Sequence, residues 1–141
     1  MSTEKLFLDT AFVQAILNPH DQYNSLAQEL FPRVRAAAEV WVTEAVLTEV
    51  GNALAHSHRS KVSEFIDSCY TTSNIQVIPV DSVLFQRAVD FYRSRPDKEW
   101  GLTDCISFVV MQDQGLIDAL TTDGHFRQAG FRALLSEESQ A

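Results

Sequence analysis

Lys5-Leu-Phe-Leu-Asp9-Thr10, running at once into Ala11-Phe-Val-Gln-Ala-Ile-Leu17 and stopped by Asn18-Pro19, is the stretch from which the fold can be read. Leu6 to Leu8 reads as a strand, Ala11 to Leu17 as a short helix, and Asn18-Pro19 as its stop. The chain therefore starts β then α, with an acid at the seam. Working outward, Asp21 can cap a second helix carrying Tyr23, Leu26, Ala27, Leu30 and Phe31, with Pro32 ending or kinking it and a remainder from Val34 to Ala38. Val40 to Thr43 is a second strand, and from Ala45 the apolar positions Val46, Val50, Ala53 and Leu54 switch to the helical period. A further helix spans about Ser60 to Tyr70, and Ile75 to Val80 reads as a third strand.

Asp81 or Ser82 can cap the next helix, whose stripe of Leu84, Phe85, Ala88, Val89 and Tyr92 ends near Arg95-Pro96. After a polar loop to Gly101, Thr103 is placed to cap a largely buried helix running to about Gln114, with Gly115 as its stop. Asp118 to Thr122 is a fourth strand, Asp123-Gly124 a turn, and Phe131 to Leu135 a short fifth strand before an acidic tail. The alternation predicts a three-layer α/β/α sandwich around a parallel sheet of four to five strands, with residues 1–141 forming one domain.

Composition agrees with a globular chain: 141 residues, 45% hydrophobic and 21% charged. Apolar runs are far shorter than a membrane span, and Glu4-Lys5 leads straight into the first strand where a signal peptide would be apolar, so a cytoplasmic protein is the expectation. Cys69 and Cys105 lack metal or redox spacing and read as small buried hydrophobes. A net charge of -8 argues against indiscriminate coating of phosphate backbones. RNA contacts would have to come from local basic segments: His56-Ser-His-Arg59-Ser-Lys61, or the set Arg87, Arg93, Arg95 and Lys98.

Four acids sit where apolar segments meet polar ones: Asp9, Glu49, Asp104 and Asp123. In a parallel sheet the carboxyl ends of the strands share one edge, and ligands bind in the crevice there. Carboxylates gathered at that edge repel one another unless a divalent cation compensates them. Asp9 follows the first strand directly. Thr10 can cap the following helix or bond the Asp9 carboxylate. Asp104 lies in the first turn of the buried helix, where the macrodipole favours an ionised carboxylate. Glu49 shares a helical face with Asn52 and His56, a face that is either solvated or borders the crevice. Asp123 lies just past the fourth strand, with Thr121 two residues earlier on the same side, while Asp118 lies at that strand's other end.

Phe7-Leu-Asp-Thr10, Val46-Leu-Thr-Glu-Val-Gly-Asn-Ala-Leu54, Leu102-Thr-Asp-Cys-Ile-Ser-Phe108 and Leu120-Thr-Thr-Asp-Gly-His-Phe-Arg-Gln-Ala-Gly-Phe131 together resemble the PIN-domain ribonucleases, most closely the small VapC-type toxins. The resemblance spans nearly the whole chain. It implies a metal-dependent endoribonuclease in which Asp9, Glu49, Asp104 and Asp123 occupy the catalytic acidic positions. Asp9, Asp104 and Asp123 would be ligands of Mg2+ or Mn2+, and Thr10, Asn52, Ser107 and Thr121 the supporting polar residues. Where the family often has two threonines before the helical Glu, this chain has Thr43-Glu44, which leaves open whether Glu44 or Glu49 faces the pocket. The resemblance further implies an RNA substrate, an antitoxin partner and a homodimer. His56, Arg59 and Lys61 are the candidate RNA contacts.

A housekeeping RNA-processing nuclease would use the same chemistry. A phosphoacceptor signalling domain would need a lysine after the fourth strand, and none follows Lys98. A haloacid-dehalogenase-type phosphatase would want an Asp where Ala11 stands, and a metal-free binding module would keep the fold without binding a cation.

Overall fold

A computed structural model describes residues 2–135, and the expected acidic tail lies outside the described residues. The element order is β1 (Lys5–Leu8), α1 (Thr10–Leu17), α2 (Asn24–Ala36), β2 (Glu39–Thr43), α3 (Glu44–Ala53), α4 (Arg59–Thr71), β3 (Ile75–Ile78), α5 (Ser82–Ser94), α6 (Leu102–Asp113), β4 (Asp118–Leu120), α7 (Gly124–Gln128) and β5 (Arg132–Ala133). All strand pairs are parallel and the sheet order is β3-β2-β1-β4-β5. Leu6, Phe7 and Leu8 are all buried although successive strand residues point to opposite faces, so β1 is covered on both sides.

The chain moves outward from β1 to β2 to β3, then crosses back to place β4 on the other side of β1. Because parallel crossovers are right-handed, this reversal carries α5 and α6 to the face opposite the β1-to-β3 crossovers, which makes the three layers. It also makes the gap between β1 and β4 the switch point, where crevices open at the carboxyl ends. The register pairs Leu8 with Leu120, so the residues that follow, Asp9 and Thr121, emerge side by side.

Behind that edge, Phe108 of α6 is the hub of an aromatic core. Its ring centroid lies 5.0 Å from Phe126, 5.1 Å from Trp100 and 5.7 Å from Phe131. Such pairs add about 0.5–1.5 kcal/mol each beyond area burial, enough to hold α6 and α7 in fixed relation.

Several local expectations are corrected. Asp21 accepts from the Tyr23 amide at 2.8 Å in a turn ahead of α2 and does not cap it, and α2 passes through exposed Pro32 without ending, closing at Ala36. Asp81 is the cap of α5, accepting from Leu84 N at 2.8 Å. Gly101, not Thr103, is the N-cap of α6; its amide donates to Asp104 Oδ2 at 3.2 Å, so the third helical residue supplies the capping carboxylate. The Asp123-Gly124 pair is no simple turn: Asp123 caps α7, accepting from His125 N at 2.9 Å. Gly115 does end α6, at φ 66, with Leu116 N bonded to Met111 O and Gly115 N to Gln112 O in a Schellman closure. Gly130, at φ 98, closes α7 the same way.

Candidate active site

Asp9, at the end of β1, is only 6% exposed. Its amide donates to Leu120 O at 3.2 Å, and its Oδ2 accepts from the Thr121 hydroxyl at 2.7 Å. The same Thr121 oxygen accepts from the Asp123 amide at 2.9 Å. One fully buried hydroxyl thus ties the end of β1 to the start of α7. Burial is the main reason the Asp9 carboxyl is pushed up to about 7; the Thr121 hydroxyl and the Thr10 amide oppose the shift, and the charges of Asp104 and Asp123 add to it.

Asp104 comes from the first turn of α6. Its Oδ2 lies 3.0 Å from His125 Nδ1, which is also 3.3 Å from Asp123 Oδ1. When the carboxylate is ionised it only accepts, and Nδ1–H is then the donor in this contact. The helix macrodipole predicts an easily ionised Asp104, but burial outweighs it: the carboxyl is raised, with Asp123 adding to the rise and His125 and the Gly101 amide opposing it. Asp104, Asp123 and His125 each present a ligand atom within 4.8 Å of the others. Among the described residues no lysine or arginine forms an ion pair with Asp9, Asp104 or Asp123.

The remaining expected residues divide. The Thr10 hydroxyl neither caps α1 nor bonds Asp9; it donates to Glu49 Oε1 at 2.6 Å, which joins exposed Glu49 to the Asp9 seam. Glu44 is not a rival. Its carboxylate accepts from Tyr70 at 2.8 Å and from Val80 N at 3.1 Å, fastening α3 to α4 and to the chain after β3. Thr43 caps α3 through Val46 N at 3.1 Å. Asn52 and His56 are exposed, and Asn52 makes no side-chain hydrogen bond among the described residues. Ser107, one helical turn beyond Asp104, is 0% exposed and its hydroxyl oxygen has no hydrogen-bond partner among the described residues.

Of the basic segments, Arg59 Nε is engaged with Ala55 O at 3.2 Å and Lys61 is exposed. In the other set, Arg87 pairs with Asp113, Arg93 with Asp90 and Arg95 with Asp97. Cys69 and Cys105 are buried, unbridged, and have thiols pushed by burial to about 11.

His125 escapes a sequence reading that looks for clustered histidines. Its partner Asp104 is 21 positions away, and the one local signal is the Asp-Gly-His spacing of Asp123 to His125.

A family model of the PIN domain matches residues 6–132. The 23S rRNA-specific endonuclease VapC20 of Mycobacterium tuberculosis is 27% identical over 128 residues, covering 89% of this chain and 95% of that protein. The crystal structure of M. tuberculosis VapC20, a sarcin-ricin loop cleaving toxin, matches with a TM-score of 0.80 at 24% identity, over 90% of this chain and 96% of that one. VapBC2 from Rickettsia felis, bound to a DNA fragment from their promoter, matches with a TM-score of 0.60 at 13% identity, over 89% and 93% of the two chains. These structural likenesses establish the fold. Among the described residues no helix is long and apolar enough to cross a membrane.

Proposed function

This chain belongs to the PIN-domain family, and from that membership we propose that it is a metal-dependent endoribonuclease, one nuclease domain acting in the cytoplasm as the toxin of a toxin-antitoxin pair. The observation that carries the reading is the gathering of Asp104 and Asp123 around His125 at the switch point, with Asp9 tied to Asp123 through Thr121 and no lysine or arginine counter-charge among the described residues.

The donor set fits a hard cation. Oxygen ligands suit Mg2+ or Mn2+, and a carboxyl such as Asp9, held near 7 by burial and by its acidic neighbours, gains most from a compensating positive charge. Asp9, Asp104 and Asp123 would hold it, with the unpartnered Ser107 hydroxyl as supporting donor or acceptor. A bound divalent cation supplies Lewis-acid polarisation of the phosphodiester and acidification of the attacking water.

The chain's own residues prepare that chemistry. Thr121 holds Asp9 Oδ2, and by bonding the Asp123 amide it fixes the spacing of the two acids. His125 keeps its proton on Nδ1 and fixes Asp104 Oδ2. Thr10 orients Glu49 from the neighbouring helix, where it can act on a proton at the rim. Asn52 and the surface residues His56, Arg59 and Lys61 are candidate contacts for RNA beyond the acids.

VapC20 makes 23S rRNA the first substrate to try, and the antitoxin is sought in the neighbouring reading frame; the protein itself is proposed to act as a homodimer. RNA ends are mapped in cells expressing the protein alone and with that frame, and purified RNA is incubated with the protein in Mg2+, Mn2+ or EDTA. Metal-dependent cuts relieved by co-expression support the reading. Intact RNA under every condition overturns it, and cleavage without growth arrest favours an RNA-processing nuclease instead.

A further inference from the structure

Lys98 stands apart from most cations of this chain. Arg33, Arg87, Arg93, Arg95, Arg132 and Lys5 each have a carboxylate within ion-pair distance, whereas Lys98 has none among the described residues. The acid that feels its charge, Asp97, is already bridged to Arg95 at 3.0 Å. The Lys98 ammonium lies 5.9 Å from the Trp100 ring centroid, and the Arg95 guanidinium 5.1 Å from the same ring. Trp100 is a rigid floor: it is 4% exposed, packed on Phe91 and Phe108, and its Nε1 donates to Gln128 Oε1 at 2.9 Å.

Two hollows meet at this lysine. One, of about 460 Å³, runs from Tyr92 and Arg95 across Trp100 to Gly101, the cap of α6. The other, of about 280 Å³, runs from Asp97 to His125 and Gln128 of α7. Lys98 and Glu99 line both, so the hollows form one path ending at His125, whose Nδ1 is 3.0 Å from Asp104. Tyr92, 49% exposed, offers its ring at the far end. By contrast, the hollow between α3 and α4 at Arg59, about 240 Å³, is lined by no residue that bonds Asp9, Asp104 or Asp123, whereas Gly101 and His125 of the other two both bond Asp104.

Resting on the endoribonuclease reading, we propose that this path is a binding arm of the active site for single-stranded RNA, with Lys98 holding the phosphate next to the scissile one, Arg95 a further phosphate, and Tyr92 stacking an unpaired base. The chemistry matches each part. In a chain of net charge -8, phosphate binding must come from cations placed at the site. The exposed Arg95–Asp97 pair contributes little and can exchange Asp97 for phosphate. An aromatic ring beside a cationic groove accepts any unstacked base, as single-strand binding requires.

The test uses the intact protein and a short fluorescein-labelled single-stranded RNA. Anisotropy titrations in EDTA are run across salt concentrations for the wild type, Lys98→Ala, Lys98→Arg and Lys98→Ala/Arg95→Ala, with cleavage kinetics in Mg2+ or Mn2+ alongside. Lys98→Ala is expected to weaken binding roughly fivefold and to lower the log–log salt slope by about 0.7, raising KM with kcat unchanged; Lys98→Arg restores both. Unchanged affinity and salt slope in the double variant overturn the proposal. So does a double variant that binds RNA normally but loses the purified neighbouring-frame protein, which would make the path a protein-docking surface. A wild type that cleaves RNA while its Lys98 variants bind normally defeats the arm alone. A wild type that never cleaves, while Lys98→Ala still weakens binding and lowers the slope, defeats the nuclease reading and leaves the arm standing.

Discussion

The two ends of the same sheet handle carboxylates in opposite ways. At the amino ends of the strands, Glu4 is bonded by Arg33, Glu39 faces Lys5 at 3.5 Å, and Asp118 is held by Arg132 at 2.6 Å across the β4–β5 register. At the carboxyl ends, Asp9, Asp104 and Asp123 have a threonine and a histidine for company and no such cation among the described residues. The electrostatics follow: Arg33 lowers the Glu4 carboxyl, while burial raises Asp9 to about 7 and raises Asp104. A larger groove, about 560 Å³, lies at the amino end between Ser2–Lys5 and Gly115–Asp118, yet its acids are already compensated. What marks a site is thus the charge left uncompensated, more than the size of the hollow.

Neutralising an uncompensated acid should have the largest effect. Asp104→Asn is expected to slow RNA cleavage about a thousandfold, equivalent to about 4 kcal/mol of barrier, while circular dichroism shows the fold intact. Initial rates in Mg2+ or Mn2+ equal to wild type would erase the distinction between the two ends.

Next comes pH. With the folded Asp9 carboxyl near 7 and its ordinary value at 3.8, the folded protein keeps a proton that the unfolded chain has released between those values. Stability of the metal-free protein therefore falls as pH rises from about 4 to about 7 and levels above, by up to about 4 kcal/mol from this group. Glu4 has the opposite sign, its contribution being lost as pH falls below its ordinary 4.5. The difference between melting curves of wild type and Asp9→Asn isolates the Asp9 effect, and Mg2+ above pH 7 should raise the wild-type melting temperature and leave Asp9→Asn unmoved. Parallel curves would remove burial as the cause.

Thr121→Val strikes the joint between the ends of β1 and β4. Loss of both hydrogen bonds to a buried carboxylate and amide should cost about 1–3 kcal/mol in denaturant unfolding, and cleavage should fall roughly 10–100-fold. Wild-type activity in this variant would reduce Thr121 to a packing residue. The smallest effect belongs to the compensated end. Arg132→Ala removes a partner of Asp118 whose side chain is 70% exposed, and should cost less than about 1 kcal/mol with cleavage unchanged.

How much of this is legible in the sequence depends on whether the signal is local. The strand–helix alternation is carried by apolar periodicity within each segment, and Asp9, Asp104 and Asp123 stand at junctions that the periodicity itself defines. Thr121 is legible by strand alternation, yet its bond to Asp9 spans 112 positions and emerges only from the β1–β4 pairing. Asp123-Gly124 looks like a turn because α7 is five residues long, too short to show a period, and is held by its cap and by Gly130. Glu44 and Glu49 both lie on α3, and only the position of Tyr70 on α4 shows which of them is taken. Lys98 is lost among neighbouring basic residues, because only the structure shows that Arg93 and Arg95 are paired with Asp90 and Asp97 while Lys98 has no carboxylate within ion-pair distance among the described residues.

The late placement of Thr121, Asp123 and His125 has a consequence for synthesis. The growing chain makes Asp9 almost at once but cannot fix it until β4 has paired with β1, after more than a hundred further residues. Domains fold as units during translation, and here the unit closes on its last elements. A nascent or prematurely terminated chain that stops short of β4 lacks its third acid and the hydroxyl that aligns the first. The proposed site is therefore assembled only after β4 and α7 have been made.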